Sequence, residues 1–201
     1  MASTSPSQPP GFSVCVFCGS KTGRHPEFAE TARELGHGLA QAGMQLVYGG
    51  GNIGLMGIVA DAALDAGGKV IGVIPESLLS RELGHSGVTD LQVVDSMHTR
   101  KARMADQSHA FVALPGGLGT FEELFEVVTW AQLQLHTKPV ALLNVAGYYD
   151  KLIEFLESTV SAGFVSPHHH QLLHVFTDVP QLLDWLQDQP ARSSSLPRDL
   201  R

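Results

Sequence analysis

Residues 109–126, HAFVALPGGLGTFEELFE, run from an apolar segment through three glycines into a helical pattern. A strand with hardly a polar position is buried on both faces, as in a parallel sheet covered by helices. Glycines between such a strand and a helix leave the first backbone N–H groups of that helix free and facing outward, which makes an anion site. The stretch therefore predicts a strand at 109–115, a phosphate-sized loop, and a long helix from Thr120 to about residue 136.

The same alternation extends in both directions. Apolar runs at 12–18, 44–48, 69–75, 91–94, 138–144 and 174–178 predict further strands, and helical spacing marks 26–43, 54–67, 95–107, 148–161 and 180–187, with a polar loop at 76–90. Strand–helix alternation of this kind builds an α/β fold: a doubly wound, Rossmann-like parallel sheet with helices on both faces. Such sheets bind ligands at the carboxyl ends of their strands. Three segments should meet there: CGS at 18–20, YGGGNIGLMG at 48–57 and LPGGLGT at 114–120. That makes Gly19, Ser20, Gly50, Gly51, Gly116, Gly117, Gly119 and Thr120 candidate substrate-binding residues. One catalytic domain is expected at 12–189, between flexible tails at 1–11 and 190–201.

Composition narrows the function classes. The 43% hydrophobic content of the 201 residues supports a large core, and a formal charge of -7 speaks against a nonspecific nucleic-acid binder, which would be basic. No apolar run reaches the roughly 18 residues of a membrane span. Residues 1–11, MASTSPSQPPG, have neither a basic nor an apolar signal region, so a cytoplasmic setting is expected. Cys15 and Cys18 form a C-x-x-C, but within a strand, where residues three apart point to opposite faces; they read as buried structural thiols. Pro167-His168-His169-His170 has the composition of a metal tract, yet consecutive residues do not converge on one ion, and a polar surface turn is expected with no metal. His98 and His109 read as structural.

Gly49-x-Gly51-x-x-Gly54 matches the dinucleotide fingerprint formally. It follows the second strand instead of the first, and its acidic partner would be Glu76, after Pro75. A nicotinamide-linked oxidoreductase would rest on these glycines alone; a tight turn close to any ligand needs the same residues. LPGGLGT lacks the Gly-Lys-Ser/Thr of a triphosphate loop, whereas a monophosphate needs only backbone N–H groups, a hydroxyl and the helix dipole.

Glu122 and Glu123 stand beside this cradle. Thr120-x-x-Glu123 fits a capping box. The helical wheel favours another placement: Phe121, Leu124, Phe125 and Val128 form one apolar stripe, while Glu123 aligns with Val127 and Trp130 on a second side. A helix apolar on two sides lies between its sheet and a second cover, most simply a partner subunit. Glu123 would then be partly desolvated and open to pKa tuning, and Glu122 and Glu126 would be solvated. In the helix SMHTRKARMADQ, Met97 and Met104 mark the inner side, Arg100 and Lys101 flank Met104, and Arg103 points to solvent. A buried Arg100 needs an anionic partner, either a carboxylate or a phosphate. Lys101 either snorkels or faces the ligand.

Met-His-x-Arg-Lys-x-x-Met at 97–104 together with Pro-Gly-Gly-x-Gly-Thr-x-x-Glu at 115–123 resembles the LONELY GUY family, cytokinin riboside 5'-monophosphate phosphoribohydrolases, many relatives of which bore the older label "possible lysine decarboxylase". The likeness spans about residues 13–176, including CVFCGS, VYGGGNIGLMG and KPVALLNVAGYYD. It implies hydrolysis of the N-glycosidic bond between an N6-modified adenine and ribose 5'-monophosphate, giving free base and ribose 5-phosphate, with AMP a further substrate and no cofactor. By position it makes Arg100 and Glu123 the catalytic pair, and Glu82, Lys101, residues 117–123 and Thr129 substrate contacts. It also implies a homodimer with the site near the subunit interface, and neither nucleic acid nor membrane as partner. A decarboxylase would require a cofactor lysine site, which the sequence does not offer. A nucleotide-binding module without turnover would share the loop but would not need Glu123.

Overall fold

A computed structural model of the chain describes residues 11–190; the tails expected at 1–11 and 190–201 lie outside the described residues, save Gly11 and Pro190. Seven strands form one parallel sheet: β1 (Ser13–Phe17), β2 (Gln45–Tyr48), β3 (Val70–Pro75), β4 (Asp90–Val94), β5 (Ala110–Ala113), β6 (Val140–Leu143) and β7 (Leu173–Phe176), in the order β4-β3-β2-β1-β5-β6-β7. The helices are α1 (Pro26–Gln41), α2 (Gly54–Asp65), α3 (Met97–Asp106), α4 (Leu118–Gln132), α5 (Asp150–Ser161), α6 (Pro167–His170) and α7 (Val179–Gln187). Side chains of α1, α2 and α7 pack on one face and those of α3, α4 and α5 on the other. This is the doubly wound sheet that the apolar runs predicted. Strand order reverses between β1 and β5, so the ligand crevice lies past their carboxyl ends.

Period-two alternation within β1 divides the core. Val14 and Val16 join the α1/α2 cluster, while Cys15 and Phe17 join the α3/α4 cluster. Cys18 falls in the first cluster, so the two free thiols lie on opposite faces, and burial pushes both well above the ordinary thiol range. No described helix is long and apolar enough to cross a membrane.

Helices α1 and α2 touch closely because Gly36 leaves no side chain between them. A Cβ added there would sit 2.4 Å from the Val59 carbonyl oxygen and 2.8 Å from the Ala62 Cβ. Gly36→Ala is therefore expected to destabilise the fold by about 1–3 kcal/mol, despite alanine's better helix propensity, read as a lower urea midpoint at unchanged slope.

Several sequence expectations shift. Helix α4 starts at Leu118 instead of Thr120. Helix α5 starts at Asp150, after a 3-10 turn at Val145–Gly147. Val127, assigned above to a second apolar side, is 3% exposed and packs with Leu124 in the cluster under α4, because the stripe is wider than the wheel drew it. Met97, assigned to the inner side of α3, is 39% exposed; of the two methionines only Met104 is buried, beside Arg100, Ala102 and Ala105. The three histidines lie in the single helical turn α6, capped by Ser166 and with no buried residue, so the polar surface turn expected there takes a helical form.

Candidate active site

The three segments expected at the strand ends do meet. The Gly19 N–H donates to the Pro115 carbonyl at 3.1 Å, and the Leu55 N–H donates to the Gly19 carbonyl at 3.0 Å. Gly54, at φ +60°, comes so near the first loop that a Cβ on it would lie 2.3 Å from the Ser20 carbonyl carbon. Between these loops opens a cavity of about 350 Å³, with Gly19, Ser20, Lys21, Phe28, Gly116 and Tyr148 in its wall.

The phosphate-sized loop leads straight into α4. Gly117 is its N-cap, with extended backbone and no side-chain cap bond. The capping box that Thr120-x-x-Glu123 fits does not form, in line with the helical wheel. With the helix starting at Leu118, Thr120 is its third residue, 3% exposed, and its hydroxyl fills the space where a Cβ on Gly116 would stand, 2.0 Å away. The N–H groups of Leu118, Gly119 and Thr120 come too early in the helix to have a carbonyl of the same helix as partner. Around Gly117 and Gly119 there is open space where a Cβ would be.

Glu123 sits a turn further along α4, its side chain 11% exposed. Opposite it is Arg100 of α3, 5% exposed. The guanidinium is pinned from behind: Nε donates to the Val73 carbonyl at 3.1 Å and Nη2 to the Gly49 carbonyl at 2.8 Å. Nη2 also donates to Glu82 Oε2 at 3.4 Å, and Nη1, against the Met97 sulfur at 3.8 Å, stands 4.0 Å from Glu123 Oε1. Burial pushes the Glu123 carboxyl up to about 7, although the Arg100 charge pulls the other way. Glu82 is raised for the same reason, with the same opposing cation. Two largely desolvated carboxyl groups thus share one fixed guanidinium.

That guanidinium explains the glycine loop. A Cβ on Gly49 would lie 2.0 Å from Arg100 Nη2, so this position is glycine to make room for an arginine. Gly54 is fitted to the Ser20–Lys21 backbone. The formal fingerprint at 49–54 thus has its own steric causes, and a nicotinamide site loses its basis. Gly50 and Gly51 anchor a neighbouring segment. The Gly50 carbonyl accepts from His85 N–H at 2.9 Å, and Gly51 bridges to Gly84, which folds the loop bearing Glu82 over the site.

Lys101 is neither free nor turned toward an open ligand space. Its Nζ lies between Glu122 Oε1 at 2.5 Å and Glu126 Oε1 at 2.9 Å, with the side chain 10% exposed. Glu122 is 53% exposed, as expected of a solvated side chain, whereas Glu126 is half-buried; through Lys101 both tie α4 to α3. Thr129 is exposed on α4, six residues beyond Glu123. Phe28 and Tyr148, both in the cavity wall, were not singled out from the sequence; Phe28 fell within the helical spacing at 26–43, and the signal for Tyr148 was the tyrosine pair that follows β6. Among the described residues, no three His, Cys, Asp or Glu side chains gather where an ion could sit.

Comparison with known proteins adds a separate line. A family profile described as possible lysine decarboxylase matches residues 56–186. A cytokinin riboside 5'-monophosphate phosphoribohydrolase of Arabidopsis thaliana is 47% identical over 175 residues, 87% of this chain and 82% of that protein. A probable enzyme of the same name from Oryza sativa subsp. japonica is 51% identical over 175 residues, 87% of this chain and 77% of that protein. Among solved structures, the molybdenum cofactor carrier protein of Chlamydomonas reinhardtii has a TM-score of 0.67 at 27% identity, over 89% of this chain and 99% of that one. The molybdenum cofactor binding protein of Rippkaea orientalis, at 22% identity and a TM-score of 0.66 over 87% of this chain and 94% of that one, shares the fold.

Proposed function

Since the chain belongs to the LONELY GUY family, the group also described as possible lysine decarboxylases, we propose that it hydrolyses the N-glycosidic bond of cytokinin riboside 5'-monophosphates, giving free base and ribose 5-phosphate. AMP is proposed as a further substrate. The observation that carries the mechanism is the placement of Glu123: a buried carboxyl facing Arg100, a turn beyond a helix N-terminus made of glycines. The 5'-phosphate rests on the N–H groups at the start of α4, where the helix end favours an anion by about 0.3–1 kcal/mol in an exposed setting. From Thr120 to Glu123 the helix advances about 4.5 Å, so a sugar held by its phosphate presents C1' to the carboxylate. Cleavage develops positive charge on the ring in an oxocarbenium-like state. Glu123 stabilises that charge, and serves as base to water or as nucleophile. Arg100, fixed by two backbone carbonyls, orients Glu123 and holds it ionised in the substrate complex. Glu82 balances the guanidinium from the other side. Of the remaining proposed contacts, Gly19 and Ser20 line the ligand space, Gly50 and Gly51 anchor the segment that carries Glu82, and Lys101 braces α3 against α4; Thr129 is proposed on family likeness alone.

We propose a homodimer in the cytoplasm. The exposed apolar side chains of Leu118 on α4, Leu133 at its C-cap and Met97 on α3 favour a covered face there, and two free thiols suit a reducing compartment. Light scattering at micromolar protein tests the first point. The activity itself is tested by incubation with isopentenyladenosine monophosphate and with AMP, following free base by chromatography; release of no base from any nucleotide overturns the assignment.

The pH dependence follows from Glu123. Its carboxyl titrates at about 7 in the folded protein and is needed as the carboxylate, so it is mostly protonated and inactive at pH 5 and ionised at pH 8. We expect kcat/KM to rise through an acid limb near 7, falling about tenfold per pH unit well below it. A flat profile between pH 5 and 8 removes Glu123 from the proton inventory.

A further inference from the structure

The tyrosine pair that closes KPVALLNVAGYYD holds the phosphate loop from behind. After β6 the chain makes its 3-10 turn with Ala146 at φ +49° and Gly147 at φ +69°. A left-handed alanine persists only where its surroundings over-determine it. Here the Asn144 side chain accepts from the Tyr149 N–H and donates to Asp150 Oδ1, both at 2.7 Å. The turn so fixed aims two phenols at one loop. The Tyr149 hydroxyl donates to the Leu114 carbonyl at 2.7 Å, and the Tyr148 hydroxyl donates to the Gly116 carbonyl at 2.5 Å. Tyr149 is a core residue at 1% exposure, whereas Tyr148 is 40% exposed in the cavity wall. Its ring meets Phe28 and Tyr149 edge-on, at 5.6 and 4.8 Å between centroids.

In a trans peptide the carbonyl of one residue and the N–H of the next point in opposite directions. A hydroxyl bound to the Gly116 carbonyl therefore turns the Gly117 N–H away from Tyr148, and Gly117 is the N-cap directly before the early N–H groups of α4. This peptide joins two glycines, so no Cβ restrains its rotation; the hydrogen bond does. We propose that Tyr148 is a positioning residue for the substrate's phosphate: by holding the Gly116 carbonyl it presets the Gly117 N–H as an additional anion donor. The inference rests on the hydrolase assignment, in which the 5'-phosphate occupies this loop.

Tyr148→Phe keeps the ring contacts and removes only the hydroxyl. We expect KM for the nucleotide, and the Kd of ribose 5-phosphate by calorimetry, each to rise about 3- to 10-fold, with kcat within about twofold and the melting temperature unchanged. A general packing role would lower the melting temperature and leave this split absent. KM and Kd both within about twofold of wild type, or a loss confined to kcat, overturn the proposal. The two assignments fail differently. If wild type binds ribose 5-phosphate but releases no base, the hydrolase assignment falls, and the Kd comparison still decides the part of Tyr148. If wild type binds no ribose 5-phosphate, the loop is not a phosphate site and the proposal falls with it.

Discussion

Glu123→Gln is expected to lower the rate of base release by about 10²–10⁴-fold while ribose 5-phosphate still binds, because the glutamine keeps the shape but loses the charge and the proton affinity. A matched change in stability should accompany the loss. In the folded chain the Glu123 carboxyl titrates at about 7, raised from 4.5 by burial. A native state that holds its proton more tightly than the unfolded chain gains stability from it below about pH 4.5, and that gain is lost as the pH rises through about 7. At pH 8 the wild-type protein therefore carries a buried, costly carboxylate, and the variant does not. Glu123→Gln should melt higher than wild type at pH 8, with the difference shrinking toward pH 5. Functional sites commonly hold such groups at the expense of stability. Base release within about threefold of wild type would remove Glu123 from the chemistry. A melting difference independent of pH would show that the carboxylate is not strained by burial.

The sheet was legible because its inner strands, β1, β3, β5 and β6 above all, are almost wholly apolar and buried, and because each helix closes on glycine or a polar turn. The convergence of 18–20, 48–57 and 114–120 followed from the rule that parallel strands end together. What stayed hidden depended on contacts between elements. The pairing of Lys101 with Glu122 and Glu126 requires α3 and α4 to be neighbours, which no local pattern states. Glu82 reaches Arg100 from a loop whose next residue, Leu83, is left-handed at φ +49° and whose carbonyls are held by the Asn52 N–H. Only likeness to a family pointed to it. The start of α4 was misjudged because Thr120-x-x-Glu123 imitates a capping box, while the real N-cap is a glycine without a side chain to announce it.

Gly49→Ala is expected to remove about as much activity as Arg100→Ala, although Gly49 has no side chain to offer a substrate. Its backbone φ lies in the region any residue adopts, so the methyl group alone is responsible. That methyl would stand 2.0 Å from Arg100 Nη2 and 3.0 Å from the guanidinium carbon, and the arginine head must move to admit it. Moving it breaks the bonds to the Gly49 and Val73 carbonyls that set its direction. It also leaves Glu82 and Glu123 as two buried carboxyl groups without their shared cation, which raises both further. A misplacement of about 1 Å in a positioned group is enough for roughly a 10²-fold loss. Two signatures separate this from simple unfolding. The acid limb of the rate profile should move above its wild-type position, because Glu123 has lost the charge that favoured ionisation. The double variant Gly49→Ala/Arg100→Ala should be no slower than Arg100→Ala alone, since both changes act through one guanidinium. Losses that multiply in the double variant would mean that Gly49 acts by another route, most directly through the loop that carries Glu82.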